Sequence, residues 1–177
     1  MESGLGICGK HSWRMSCYNR SHREWFIHEL GTDSIGFRLG RLWRDIYILN
    51  TSEVDWQGVW NILLEWTPPP DFSVSGKIES MPLGVEAALE SETGSLLSFY
   101  VGPIQLACHF FSADEIEFDF DPRQVTGKTE VEHLDRFMRL LGDATGKQII
   151  LTQENDQAAI IARYSPDLER VVWTALS

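Results

Sequence analysis

Residues 115–121 read Glu-Ile-Glu-Phe-Asp-Phe-Asp, an unbroken alternation of acid and large apolar side chain. A period of two belongs to a β-strand half-buried in a sheet, since successive side chains leave the pleat on opposite faces. Ile116, Phe118 and Phe120 therefore need a core on one side. Glu115, Glu117, Asp119 and Asp121 form an acidic stripe on the other. No helix accommodates this pattern without placing carboxylates in its buried face.

The preceding apolar run, Ile104–Phe111, is long enough to pair with it as a hairpin across Ser112-Ala113-Asp114. Ile104, Leu106, Cys108 and Phe110 must share the apolar face. A three-residue loop then sets Phe111 against Glu115, His109 against Glu117, Ala107 against Asp119, Phe110 against Ile116 and Cys108 against Phe118. A slip of one residue would drive the carboxylates into the core, so the register is strongly specified. It also places His109 among carboxylates. Two carboxylates and an imidazole are metal ligands in principle, but this sheet face supplies no fourth donor.

The acidity of this strand is part of a longer trend. The 177-residue chain carries a net charge of -11, from 15 basic and 26 acidic residues. Residues 1–44 hold seven basic and four acidic residues, and residues 123–177 hold seven and eight. Residues 45–122 hold fourteen acidic residues and one basic residue, Lys77, so the negative excess lies in the middle of the chain. Such a field opposes attachment to nucleic acid or anionic lipid, and it steers and orients a basic protein partner. The residues expected to meet that partner are Glu115, Glu117, Asp119 and Asp121, together with Trp66 at the edge of a helix. The alternative reading of the same acidity is a solubilising surface that meets no partner.

Around the hairpin the sequence predicts an α+β fold with a mostly antiparallel sheet and two main helices, near residues 53–65 and 129–141. Trp56, Val59, Trp60, Leu63 and Leu64 form one stripe of the first helix, which makes Trp56 and Trp60 core residues. Ser52 and Asp55 supply its N-terminal signal. Val131, Leu134, Phe137, Met138 and Leu141 form the stripe of the second, with Thr129 and Glu132 as a capping box and Gly142 as the stop. Strands are expected at Trp25–Leu30, Ser34–Leu39, Leu42–Leu49, Phe72–Ile78, Val85–Glu90, Leu96–Val101, Gln148–Thr152, Ala158–Tyr164 and Arg170–Ala175.

Residues 1–23 read as a loosely organised leader. Pro68-Pro69-Pro70 must end the first helix and marks residues 67–71 as a hinge between an N-terminal lobe (24–66) and a C-terminal lobe (72–177). The alternative is one continuous domain.

Catalytic motifs are scarce. There is no G-x-S-x-G elbow, and Cys108 falls within a buried strand, where a thiol is inert. Gly127-Lys128-Thr129 follows a strand and opens a helix, as a phosphate-binding loop does. The first glycine of that motif would fall on Pro122, which has no backbone donor. Cys8, His11, Cys17 and His22 place four zinc-type donors within fifteen residues, but their spacing is that of neither a finger nor a knuckle, so neither metal nor cofactor is expected. Three cysteines give no disulfide framework, and the N-terminus lacks the apolar core of a signal peptide. The uncharged stretch from Thr93 to Ala113 is broken by Gly102-Pro103 and suits two strands better than a membrane span. The expectation is therefore a cytoplasmic, non-catalytic binding module for a basic protein, of the immunity or inhibitor kind. A small hydrolase with an unrecognised site and a structural subunit of a homo-oligomer are the alternatives.

Overall fold

The computed structural model describes residues 42–92 and 94–174. The chain is α+β, with one large antiparallel sheet and three helices among the described residues. The strands are β1 (Arg44–Leu49), β2 (Asp71–Val74), β3 (Lys77–Glu79), β4 (Ser95–Val101), β5 (Ile104–His109), β6 (Glu115–Phe120), β7 (Ile149–Gln153), β8 (Asp156–Ser165) and β9 (Arg170–Trp173). The helices are α1 (Glu53–Leu64), α2 (Glu86–Leu89) and α3 (Lys128–Thr145). Strand order across the sheet is β3-β2-β4-β5-β6-β1-β7-β8-β9. The earliest described strand thus lies between β6 and β7, so β1 on one side of the prolines and β6 and β7 on the other share one sheet.

Helices α1 and α3 cover one face. Trp56 and Trp60 of α1 are fully buried and pack on Phe110, while Trp60 also meets Phe72 edge-on. Phe137 of α3 meets Phe118 and Phe99. The apolar halves of β1 and β4–β6 (Ile46, Ile48, Leu97, Phe99, Leu106, Cys108, Ile116, Phe118) complete this core. The hairpin has the register that alternation demands: His109 pairs with Glu117, Cys108 with Phe118 and Ala107 with Asp119. The burial of β6 alternates along its whole length.

Helix α1 opens as expected. Ser52 and Asp55 form a reciprocal cap, with the Ser52 N–H donating to Asp55 Oδ2 at 2.9 Å. Four local expectations are corrected. Residues 72–78 form not one strand but the hairpin β2–β3, because Ser75 and Gly76 both take positive φ (52° and 74°) and turn the chain back. Within residues 85–90 the chain forms the short helix α2, as Glu-Ala-Ala-Leu favours helix over strand. Thr129 does not cap α3. The cap lies two residues earlier, at Gly127, which makes no side-chain capping bond, and the helix begins at Lys128. Nor does Gly142 end it: the left-handed residue that does is Gly146, at φ 66°. Gly142 is buried inside the helix because the Tyr164 ring occupies the space a Cβ would take.

The leader, the strands expected at Trp25–Leu30 and Ser34–Leu39, and the candidate ligands Cys8, His11, Cys17 and His22 lie outside the described residues. Among the described residues no helix is long and apolar enough to cross a membrane.

Candidate functional site: an acidic concavity on the sheet face away from the helices

The face of the sheet away from α1 and α3 carries the polar halves of the central strands. There β1, β5 and β6 build a concavity of about 430 Å3, lined by Trp43, Asp45, Leu96, Ala107, His109, Phe111, Glu117, Asp119, Glu154 and Asn155. Its floor is strand and its rim is aromatic. Trp43 and Phe111 are 47% and 73% exposed, unusual for side chains of that size and apolarity.

Antiparallel pairing explains how the carboxylates converge. Residue Asp45 lies opposite Asp119, and Tyr47 opposite Glu117, across the β1–β6 ladder. His109 and Ala107 oppose Glu117 and Asp119 on the other side of β6. Every one of these positions has the parity that points away from the helices. Glu154 and Asn155 arrive from the β7–β8 turn, where Asn155 adopts φ 55°. The Glu154 side chain ties that turn to the rim by accepting from the Trp43 N–H at 3.0 Å. Arg44 steadies the same rim, donating from Nη1 to the carbonyls of Leu42 and Trp43 at 2.8 and 2.9 Å.

Two side-chain systems line the concavity. In the first, His109 Nε2 lies 3.1 Å from Asp119 Oδ2, and the imidazole stacks on the Phe111 ring at 5.2 Å. In the second, the Tyr47 hydroxyl oxygen lies 2.9 Å from Asp45 Oδ2 and 3.2 Å from Glu117 Oε1. Asp45 is 2% exposed, and its Oδ2 also accepts from the Asn155 N–H at 2.7 Å.

Crowding carboxylates on a half-dry surface shifts their protonation upward. Burial pushes Glu117 up to about 7, helped by the nearby charges of Asp45, Glu115 and Asp119 and opposed by any hydrogen bond that Tyr47 donates to the ionised carboxylate. Burial likewise raises Asp45 and Asp119, though His109 pulls Asp119 back down. The Tyr47 hydroxyl is held in its neutral form by burial and by its two acidic neighbours.

The five residues expected to meet a partner are not gathered in one place. Glu117 and Asp119 line the concavity. Glu115 continues the stripe at the start of β6 and accepts from Gln157 Nε2 at 2.7 Å. Asp121, past the strand end, is engaged by Arg123 through Nε and Nη2. Trp66 lies across the sheet on the helical side, edge-on to Phe99 and Phe137, and donates Nε1–H to the Tyr100 carbonyl at 2.9 Å.

The sequence pattern missed Trp43, Asp45, Tyr47 and Glu154. Asp45 and Tyr47 stand two apart, which is the signal of a shared strand face, but the run around them is too apolar for the alternation to stand out. No group of three or more metal-ligating side chains among the described residues is arranged to hold a metal ion. Comparison with protein-family models, curated proteins and solved structures finds no match to this chain.

Proposed function

We propose that the protein is a binding module that docks a basic protein partner at the acidic concavity on the sheet face away from its helices, in the manner of an immunity or inhibitor protein. The observation that carries this reading is the convergence of Asp45, Glu117, Asp119 and Glu154 on one concavity rimmed by two exposed aromatic rings. A lysine or arginine side chain entering it meets carboxylates inside and π-faces at the mouth, and both attract a cation. The fourteen acidic residues between 45 and 122 add a long-range field that raises the association rate.

A pull-down from the native host tests the reading. The wild-type chain is expected to recover a basic protein, with binding that weakens steeply as salt rises. Asp119→Asn combined with Glu154→Gln is expected to lose it. Recovery of neutral or acidic proteins alone, indifferent to salt and to these substitutions, overturns the reading.

A further inference from the structure

The Tyr47 hydroxyl has one hydrogen and two carboxylate oxygens within hydrogen-bonding distance, Asp45 Oδ2 at 2.9 Å and Glu117 Oε1 at 3.2 Å. A phenol donates once, and an ionised carboxylate only accepts. With both acids ionised, one of the two contacts would set lone pair against lone pair on a poorly solvated surface. One additional proton resolves this, and the surroundings say where it belongs. Asp45 Oδ2 already receives the Asn155 N–H at 2.7 Å, and a second donor there favours its charged form. Among the described residues, the hydrogen-bond partner of the Glu117 carboxyl is the phenol oxygen. The consistent chain is Glu117 O–H to Tyr47 Oη, and Tyr47 O–H to Asp45.

Resting on the docking reading for its outcome, we infer that the concavity is a proton switch: Glu117 holds a proton donated to Tyr47 in the free protein, and losing it exposes a further carboxylate to the cationic partner. The charged and titratable groups facing Glu117 fit this role. Asp45 and Tyr47 face it from β1, Glu115 and Asp119 flank it along β6, and Glu154 closes the concavity from the β7–β8 turn. From β5 comes His109, already paired with Asp119. The neighbours of β1 on its far side, Ile150 and Thr152, are uncharged.

The full-length chain can be tested without any partner. Carboxyl-carbon NMR of the wild type is expected to show Glu117 titrating near 7. Tyr47→Phe is expected to lower that value, since it removes the acceptor of the acid proton. If Tyr47 instead donates to an ionised Glu117, the same substitution raises it. A Glu117 that titrates in the ordinary carboxylate range, or one that rises in Tyr47→Phe, overturns the inference.

Binding of a hexa-arginine peptide supplies the second arm. If only the deprotonated form is competent, affinity rises about tenfold between pH 6 and pH 8. Glu117→Gln, which keeps His109 in place, is expected to remove most of that rise. An equal pH dependence in both proteins overturns the switch. Failure of the peptide to bind at any pH counts against the docking reading instead, because the NMR titration decides the proton by itself.

Discussion

His109 faces Glu117 across the β5–β6 ladder, yet its Nε2 reaches past that partner to the diagonal neighbour Asp119, 3.1 Å away. Diagonal neighbours on one sheet face lie within reach of a long side chain. The choice leaves Glu117 to Tyr47 and divides the acidic face into two systems. Asp119 is drawn upward by burial and held back by the imidazole. Replacing His109 with Gln is therefore expected to raise the titration of Asp119 further, while Glu117 moves much less. Carboxyl-carbon NMR of the two residues checks this, and equal shifts in both would mean that the systems are not separate.

The raised Glu117 has a consequence for folding with a definite sign. Its folded-state value of about 7 lies above the ordinary 4.5, so the folded protein binds a proton more tightly than the unfolded chain. This group is then least unfavourable below about pH 4.5, and stability is lost as pH rises through the window up to about 7. Glu117→Gln removes the cost. Because the carboxyl is half-exposed and solvent screens part of it, the gain should be on the order of 1 kcal/mol at pH 8 and near zero at pH 4.5. Urea denaturation of both proteins at the two pH values measures it. A variant less stable than wild type at pH 8 would contradict the assignment.

What the sequence made legible was periodicity. Strand β6 announces itself because each of its acids is followed by an aromatic or aliphatic residue, and the pairing of His109 with Glu117 follows from loop length alone. Trp56 and Trp60 lie in the core because helical spacing put them on one stripe. Half of the concavity was hidden because it depends on strand order. Asp45 and Glu154 stand 109 positions apart and meet only because β1 is inserted between β6 and β7. Local pattern carries no information about that insertion. Trp66 is half-buried, as a tryptophan at a helix end beside three prolines suggests, but that it packs on Phe99 and Phe137 depends on the sheet and is not written in the local pattern.

The glycines of the two long helices offer a paired test of packing. A Cβ on Gly142 collides with the ring of Tyr164, which is 2% exposed and donates its hydroxyl to Asp143 Oδ1 at 2.9 Å. The ring cannot move without breaking that bond and opening β8, so Gly142→Ala is expected to destabilise by about 3 kcal/mol. A Cβ on Gly58 meets only the Ala144 carbonyl oxygen, at an ordinary 3.4 Å. Gly58→Ala should therefore gain about 0.5–1 kcal/mol from helix propensity. Chemical denaturation of the two variants should give opposite signs, and a common sign would show that Tyr164 yields more easily than its contacts imply.

Trp60 ties α1 to the β2–β5 half of the sheet's covered face. Its ring is fully buried, meeting Phe72 of β2 and Phe110 beyond β5 edge-on at 5.7 and 5.6 Å. Its Nε1–H donates to the Pro82 carbonyl at 2.9 Å, fastening the segment that leads into α2. These contributions separate by substitution. Trp60→Phe keeps most of the apolar volume but strands a partly buried carbonyl, at a cost of about 1–3 kcal/mol. Trp60→Ala removes the ring as well and should cost about 3–5 kcal/mol. Hydrogen exchange should tell the two apart by place. The phenylalanine variant should lose protection chiefly around residues 82–90, and the alanine variant across α1 and β2 as well. Uniform loss in both would show that the Pro82 bond is incidental and that the ring alone fixes the helix to the sheet.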